Sequence, residues 1–169
     1  MPEISGGMMK KSLHIIFVLF VSLSFLTAAC KANISRNSDG SYNIETTITQ
    51  QELQEVITAS IADPLVKEVT VSLQSGYALV SGTRQRLNDP ATTDTLTFRL
   101  DLGVSNGQLT SSISNAQIDG IAIEQNRVDL WNQTIANRLT RLGQKNPNST
   151  LQSVAVTPQS VSMSWLVAK

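Results

Sequence analysis

Apolar residues recur along this chain with two different periods, and the switches between them predict the elements. Tyr42-Asn43-Ile44-Glu45-Thr46 alternates as a short strand. Thr49-Gln50-Gln51-Glu52 then forms a capping box, in which the threonine hydroxyl accepts from the backbone three residues on and Glu52 reaches back. Leu53, Val56, Ile57 and Ile61 follow at helical spacing until Asp63-Pro64 stops the run. Val69, Val71 and Leu73 alternate with Thr70, Ser72 and Gln74, and beyond the Ser75-Gly76 turn Tyr77 to Arg84 returns as a second strand. After the Asn88-Asp89-Pro90 loop, Leu96, Phe98, Leu100 and Leu102 lie on one face of a strand and Thr95, Thr97, Arg99 and Asp101 on the other.

Asn106-Gly107 is a hairpin turn, because both residues tolerate positive φ. The next strand, Gln108 to Ile118, is apolar at Leu109, Ile113 and Ile118 among serines, and Asp119-Gly120 turns again toward Ile121 and Ile123. Val128, Trp131, Ile135, Leu139 and Leu142 form one stripe of a helix expected from about Asn126 to Leu142, with Gly143 at its C′ position. Two strands close the chain. One carries Leu151, Val154 and Val156; the other carries Val161, Met163, Trp165 and Val167, opposite Ser162, Ser164 and Leu166. The order is strand, helix, four strands, helix, two strands, with short links that make neighbouring strands antiparallel. The expected fold class is α+β: one curved antiparallel sheet of about six to seven strands wrapped around two amphipathic helices.

The first thirty residues follow a different plan. Lys10 and Lys11 precede an apolar run, Ile15 to Leu26, of twelve residues. Such a run spans roughly 18 Å as a helix, short of the roughly 30 Å hydrocarbon core, and fits the layout of a secretory signal. Leu26-Thr27-Ala28-Ala29-Cys30 resembles a bacterial lipobox, with Thr27 where leucine or valine is commoner. That resemblance implies cleavage before Cys30, acylation of its sulfur and amino group, and a domain facing outward from the cell-envelope membrane. An ordinary signal peptide with a chance cysteine, or a short membrane anchor, is the alternative. Residues 1–7 read as an upstream extension, since Met8 or Met9 makes a better start. The expected organisation is a signal peptide over 1–29, a lipidated cysteine with a flexible tether over 30–41, and a single domain over 42–169. Two or three acyl chains, at about 0.8 kcal/mol per buried CH₂, make a stable anchor where one does not.

Composition narrows the chemistry. The sole histidine is His14 and the sole cysteine is Cys30, so the 139 residues beyond Cys30 contain neither. Thiol or histidine-based nucleophilic catalysis, Cys/His zinc sites and disulfides are excluded from the body of the protein. From Cys30 onward there are eleven basic and twelve acidic residues, a net charge of −1, which gives no basic patch for nucleic acid. Carboxylates are the remaining candidate catalytic groups. Asp89 and Asp119, however, sit in turns beside Pro and Gly, and Asp129 falls in the first turn of a helix. No Gly-x-Ser-x-Gly elbow is present. No enzyme activity, cofactor or metal is expected.

Beyond the tether, the layout of a short helix, Val69-Thr70-Val71-Ser72-Leu73, Leu96-Thr97-Phe98-Arg99-Leu100, the Asn106-Gly107 hairpin, Ile118-Asp119-Gly120-Ile121 and a second helix at Val128-Asp129-Leu130-Trp131-Asn132 resembles the tubular lipid-binding (TULIP-like) families. That resemblance implies a curved sheet around a helix and an apolar groove for acyl chains. The groove candidates are Leu96, Phe98, Leu100, Leu102, Trp131, Ile135, Leu139 and Trp165, all of which serve equally well as core packing. Only five aromatic residues follow Cys30, against sixteen serines and fifteen threonines, which restricts the apolar wall available. Two functions are therefore expected. One is an envelope lipoprotein, attached to the membrane through acylated Cys30, that binds or shields a hydrophobic ligand such as a lipid. The other is a non-catalytic protein-interaction or structural module with a filled core and a protein partner the sequence does not name.

Overall fold

The computed structural model describes residues 32–169, a stretch that lies within one compact unit. The signal-type segment and Cys30 lie outside the described residues. The fold is α+β with antiparallel strands and two helices, as the periodicities predict. The strands are β1 (Ala32–Arg36), β2 (Tyr42–Thr49), β3 (Val66–Leu73), β4 (Ala78–Gln85), β5 (Thr93–Ser105), β6 (Gln108–Ile118), β7 (Ile121–Ala122), β8 (Ser149–Val156) and β9 (Ser160–Val167). Helix α1 (Gln50–Ile61) follows β2, and α2 (Gln125–Gly143) follows β7.

Several features differ from expectation. Instead of one sheet of six to seven strands there are two: a four-stranded sheet ordered β1-β2-β9-β8 and a five-stranded one ordered β3-β4-β5-β6-β7. The break falls at β8, which meets the β5–β6 hairpin through Leu151 N–H to the Gly107 carbonyl (2.9 Å) and the β3–β4 turn through Gly76 N–H to the Val156 carbonyl (2.9 Å). These are isolated bonds rather than a ladder. Part of the segment read as a tether is the second departure: Ala32–Arg36 pairs with β2 from Ala32↔Thr46 to Arg36↔Tyr42. All five of its side chains are exposed, so backbone pairing alone holds it and no apolar pattern announces it.

The local signals explain most of the rest. Thr49 caps α1 with both halves of the capping box made, Thr49 N–H to Glu52 Oε2 at 2.7 Å and Glu52 N–H to Thr49 Oγ1 at 3.2 Å. Asn106 and Gly107 have φ of 53° and 71°, and Asp119 and Gly120 of 50° and 78°, as two-residue hairpin turns require. Helix α1 packs against β2, β3 and α2, while α2 packs against β2 and β6. One core gathers the inner faces of both sheets and the stripes of both helices. The helices also supply polar ties to the five-stranded sheet. Gln54 Oε1 accepts from Val71 N–H on edge strand β3 (3.3 Å), and Asn132 Oδ1 accepts from Ile113 N–H on β6 (2.9 Å).

Gly143 is not a C′ glycine. It is the last residue of α2, and Gln144 behind it is extended, with its N–H bonded to the Thr140 carbonyl at 2.8 Å. A Cβ at 143 would lie 2.8 Å from Met163 Sδ and 3.3 Å from Thr46 Oγ1. The glycine therefore serves the close approach of α2 to β2 and β9 rather than a left-handed turn.

Candidate binding face

The eight groove candidates converge in the core. Leu96, Phe98, Leu100, Trp131, Ile135, Leu139 and Trp165 are buried, and Leu102 is half-buried against them. Phe98 and Trp131 meet with ring centroids 5.8 Å apart and planes tilted by 36°. Trp165 Nε1–H donates to Thr46 Oγ1 at 3.1 Å, a bond between β9 and β2 that satisfies the indole inside the core. Every buried side-chain nitrogen or oxygen among the described residues has a partner. Of the eight candidates, only Phe98 also borders the concavity described next.

That concavity, about 560 Å³, lies on the opposite, outer face of the five-stranded sheet. Strand alternation builds it. With Val69, Val71, Val80, Leu96, Phe98 and Leu100 turned inward, the residues between them turn outward. The strand registers place them in rows. Thr70, Ser81, Thr97 and Gln117 stand side by side across β3, β4, β5 and β6. The neighbouring row is Ser72, Leu79, Arg99 and Ser114. Adjacent strands are about 4.8 Å apart, so the first row offers hydroxyl or amide groups at a regular spacing, while in the second Leu79 and Arg99 separate the two serines.

Two irregularities shape this face. On β6, Asn115 and Ala116 stand opposite the single residue Phe98, and Asn115 has φ of 53°. This bulge bends β6 and brings Asn115 to the concavity. At the other side the Arg99 guanidinium lies 3.9 Å from the Tyr77 ring centroid. The same guanidinium donates from Nε to Asp101 Oδ2 (2.8 Å) and from Nη2 to Asp101 Oδ1 (2.6 Å). These bonds hold the Asp101 carboxyl below the ordinary carboxylate range, against a smaller opposing effect of burial, and keep Arg99 firmly protonated. Tyr77, Arg99 and Asp101 thus form one cluster with its charges closed on each other. The polar alternation of β5 signals that this face is wet, but neither the bulge nor the stacking has a signature in the chain beyond an asparagine at a position where left-handed φ is tolerated.

The carboxylates are spread through the structure, Asp63 of the helix-stopping Asp63-Pro64 among them. Asp63 accepts from Arg84 Nε (3.1 Å), Arg127 Nη2 (2.8 Å) and Leu65 N–H (2.9 Å), with its side chain only 7% exposed. Burial pushes its pKa up, but these three donors together outweigh burial and the carboxyl titrates below its ordinary value. Arg84 also approaches Asp94 (4.0 Å), and Arg86 pairs with Asp94 and Asp119. This chain of ion pairs ties the α1–β3 link to β4, β5, the β6–β7 turn and α2. Asp119 additionally accepts from Thr95 N–H (2.7 Å), so its role at the turn is conformational. Asp129 accepts from Gln125 on the first turn of α2 (2.8 Å). Among the described residues no group of three or more His, Cys, Asp or Glu is arranged to hold a metal ion. No described helix is long and apolar enough to cross a membrane. The chain matches no known protein family, and no curated protein or solved structure is detectably similar to it.

Proposed function

We propose that this protein is a lipid-anchored, non-catalytic module of the bacterial cell envelope, held to its membrane through acylated Cys30, that engages a partner with the outer face of its five-stranded sheet. The observation that carries this reading is the contrast between its two surfaces. The inner apolar face that could have received an acyl chain is packed against α2, β2 and β9, whereas the outer face opposite it, where hydroxyl side chains stand beside Tyr77 and Leu79, is open and concave. A hydrophobic ligand among Phe98, Trp131 and Trp165, as the tubular lipid-binding resemblance implies, requires those buried side chains to part. Opening space there forfeits packing worth several kcal/mol, on the order of what truncating one such residue costs.

Three measurements test the reading. Cys30→Ala should move the protein from the membrane to the soluble fraction and abolish labelling by radioactive palmitate; persistent membrane attachment would remove the anchor from the proposal. A photo-crosslinking amino acid at Ser81, in the concavity, should attach to a partner in intact cells, while the same probe at Ala155 on the other sheet should not. Native mass spectrometry supplies the opposing result: a stoichiometric phospholipid retained by the protein would restore the hydrophobic-ligand function.

A further inference from the structure

We infer that the partner of this outer face is an uncharged polysaccharide, a deepening that rests on the binding face proposed above. The face combines three properties that fit such a polymer. The first is its charge. Among the residues lining the concavity Arg99 alone is charged, and its guanidinium is committed to Asp101 by two bonds and to the Tyr77 ring by stacking. An anionic partner, whether phosphate, acidic lipid or nucleic acid, calls for unpaired cations; an acidic or basic protein patch calls for a field of the opposite sign. The lining of the concavity offers neither, and a neutral ligand is its electrostatic complement.

The second property is hydrogen-bonding character. Thr70, Ser72, Ser81 and Thr97 present hydroxyls and Asn115 an amide, groups that both donate and accept. Sugar hydroxyls also do both, so each contact can adopt whichever sense the ligand presents. The row Thr70, Ser81 and Thr97, with hydroxyls at about 4.8 Å from strand to strand, suits a ligand that carries hydroxyls along its length. Third, the cluster of Tyr77, Arg99 and Asp101 is already ordered. The Arg99–Asp101 pair leaves oxygen lone pairs and guanidinium N–H groups at its margin, a donor beside an acceptor, which matches vicinal hydroxyls. Tyr77 and Leu79, the latter in the same row as Arg99, supply apolar surface for the C–H faces of a sugar ring. Preorganisation lowers the ordering cost that a hydroxyl-rich ligand otherwise meets.

The test uses the full acylated chain, purified in neutral detergent, on an array of gluco-, manno-, galacto- and N-acetylhexosamine oligosaccharides beside sulfated and sialylated ones. Retention on at least one neutral class is expected, and it should persist in about 1 M salt, where the Debye length is about 3 Å. Thr97→Glu places an uncompensated charge in the concavity at an exposed position that leaves the core untouched, and Tyr77→Ala removes the stacking plane. Each should weaken retention roughly tenfold or more, the equivalent of about 1.4 kcal/mol, while Ala155→Glu on the other sheet leaves it unchanged. Binding confined to the charged glycans, or neutral-glycan binding indifferent to Thr97→Glu in a variant whose melting temperature is unaltered, overturns the inference. Failure on every glycan together with a protein captured at Ser81 overturns it too, yet leaves the binding face standing. Failure of both the array and the crosslink defeats the binding face itself.

Discussion

Gly143→Ala isolates a single close approach on which the core depends. The new methyl would sit 2.8 Å from Met163 Sδ, 3.3 Å from Thr46 Oγ1 and 3.5 Å from Trp165 Cζ2. Met163 and Trp165 are buried, and Thr46 Oγ1 is already engaged by the Trp165 indole, so none of the three can retreat into solvent. Overpacking of this kind costs about 1–3 kcal/mol. Replacing glycine within a helix returns up to about 1 kcal/mol, and less at the last helical residue, where fewer bonds depend on it. The net expectation is a loss of about 1–2 kcal/mol. Met163→Ala alone should cost about 2–5 kcal/mol through its cavity. Combined, the two changes compensate, because the alanine methyl at 143 enters space that the methionine sulfur has left. Urea titrations of the four proteins, read at constant m, give the cycle. A favourable coupling of about 1 kcal/mol or more is expected, within the range measured for contacting residues. Additivity to within about 0.5 kcal/mol, or a stabilising Gly143→Ala, would refute the close approach as the reason for glycine here.

Three further outcomes follow from the same contacts. Gly82→Ala should be costlier than Gly143→Ala, about 2–3 kcal/mol by urea titration, because its Cβ would meet the Glu68 backbone carbonyl at 2.6 Å and a strand cannot yield as a side chain can. Asp63→Asn should cost about 1–3 kcal/mol at neutral pH by leaving Arg84 and Arg127 without their shared carboxylate. The Asp63 carboxyl titrates lower in the folded state than its unfolded value of roughly 3.9, so its contribution is complete above that pH and lost as pH falls through the folded value. The urea midpoints of wild type and Asp63→Asn should accordingly converge in acid and stay apart at neutrality. Asn132→Ala orphans Ile113 N–H and should cost about 1–2 kcal/mol, with faster amide exchange at Ile113 as its local readout.

What the chain discloses about its fold is mostly what adjacent residues decide among themselves. The capping box at Thr49 and Glu52, the stripe Val128-Trp131-Ile135-Leu139 and the turns at Asn106-Gly107 and Asp119-Gly120 each depend on a few neighbours, and each forms as its residues predict. The pairing of β2 with β9 depends on strands from opposite ends of the chain, exemplified by the Trp165–Thr46 bond, and periodicity carries no information about such partners. The division into two sheets has the same origin. β8 presents apolar Leu151 and Val156 inward whichever strand flanks it, so its pattern is blind to whether a neighbour is a full ladder or two isolated bonds. Strand β1 marks the limit: Ala-Asn-Ile-Ser-Arg buries nothing, and even Ile34, opposite core residue Ile44, remains 69% exposed. Gly143 shows a different failure, since a glycine that ends a helix by turning and one that lets a helix approach a sheet look identical in one dimension.

The site was legible in a more particular sense. The alternation of β5 assigns Leu96, Phe98 and Leu100 to one face and Thr95, Thr97, Arg99 and Asp101 to the other, and this division holds in three dimensions. What alternation leaves open is which face does the binding, because an apolar wall reads the same beneath a ligand as beneath a helix. Packing separates the cases: α2 brings Trp131 onto Phe98, and the inner face is spent on the fold. A binding role proposed for β5 then falls to its polar side, whose composition becomes informative for that reason. Serines and threonines chosen merely for solubility could be exchanged for lysine or glutamate, as on most wet sheets. Around the concavity they instead border one closed ion pair and one tyrosine, with Glu68 one row further along β3, and the ionic ties of Asp63, Asp94 and Asp119 are gathered elsewhere. A surface whose concavity holds only an arginine already paired with Asp101, while unlike charges meet freely beyond it, suits the uncharged partner proposed for it.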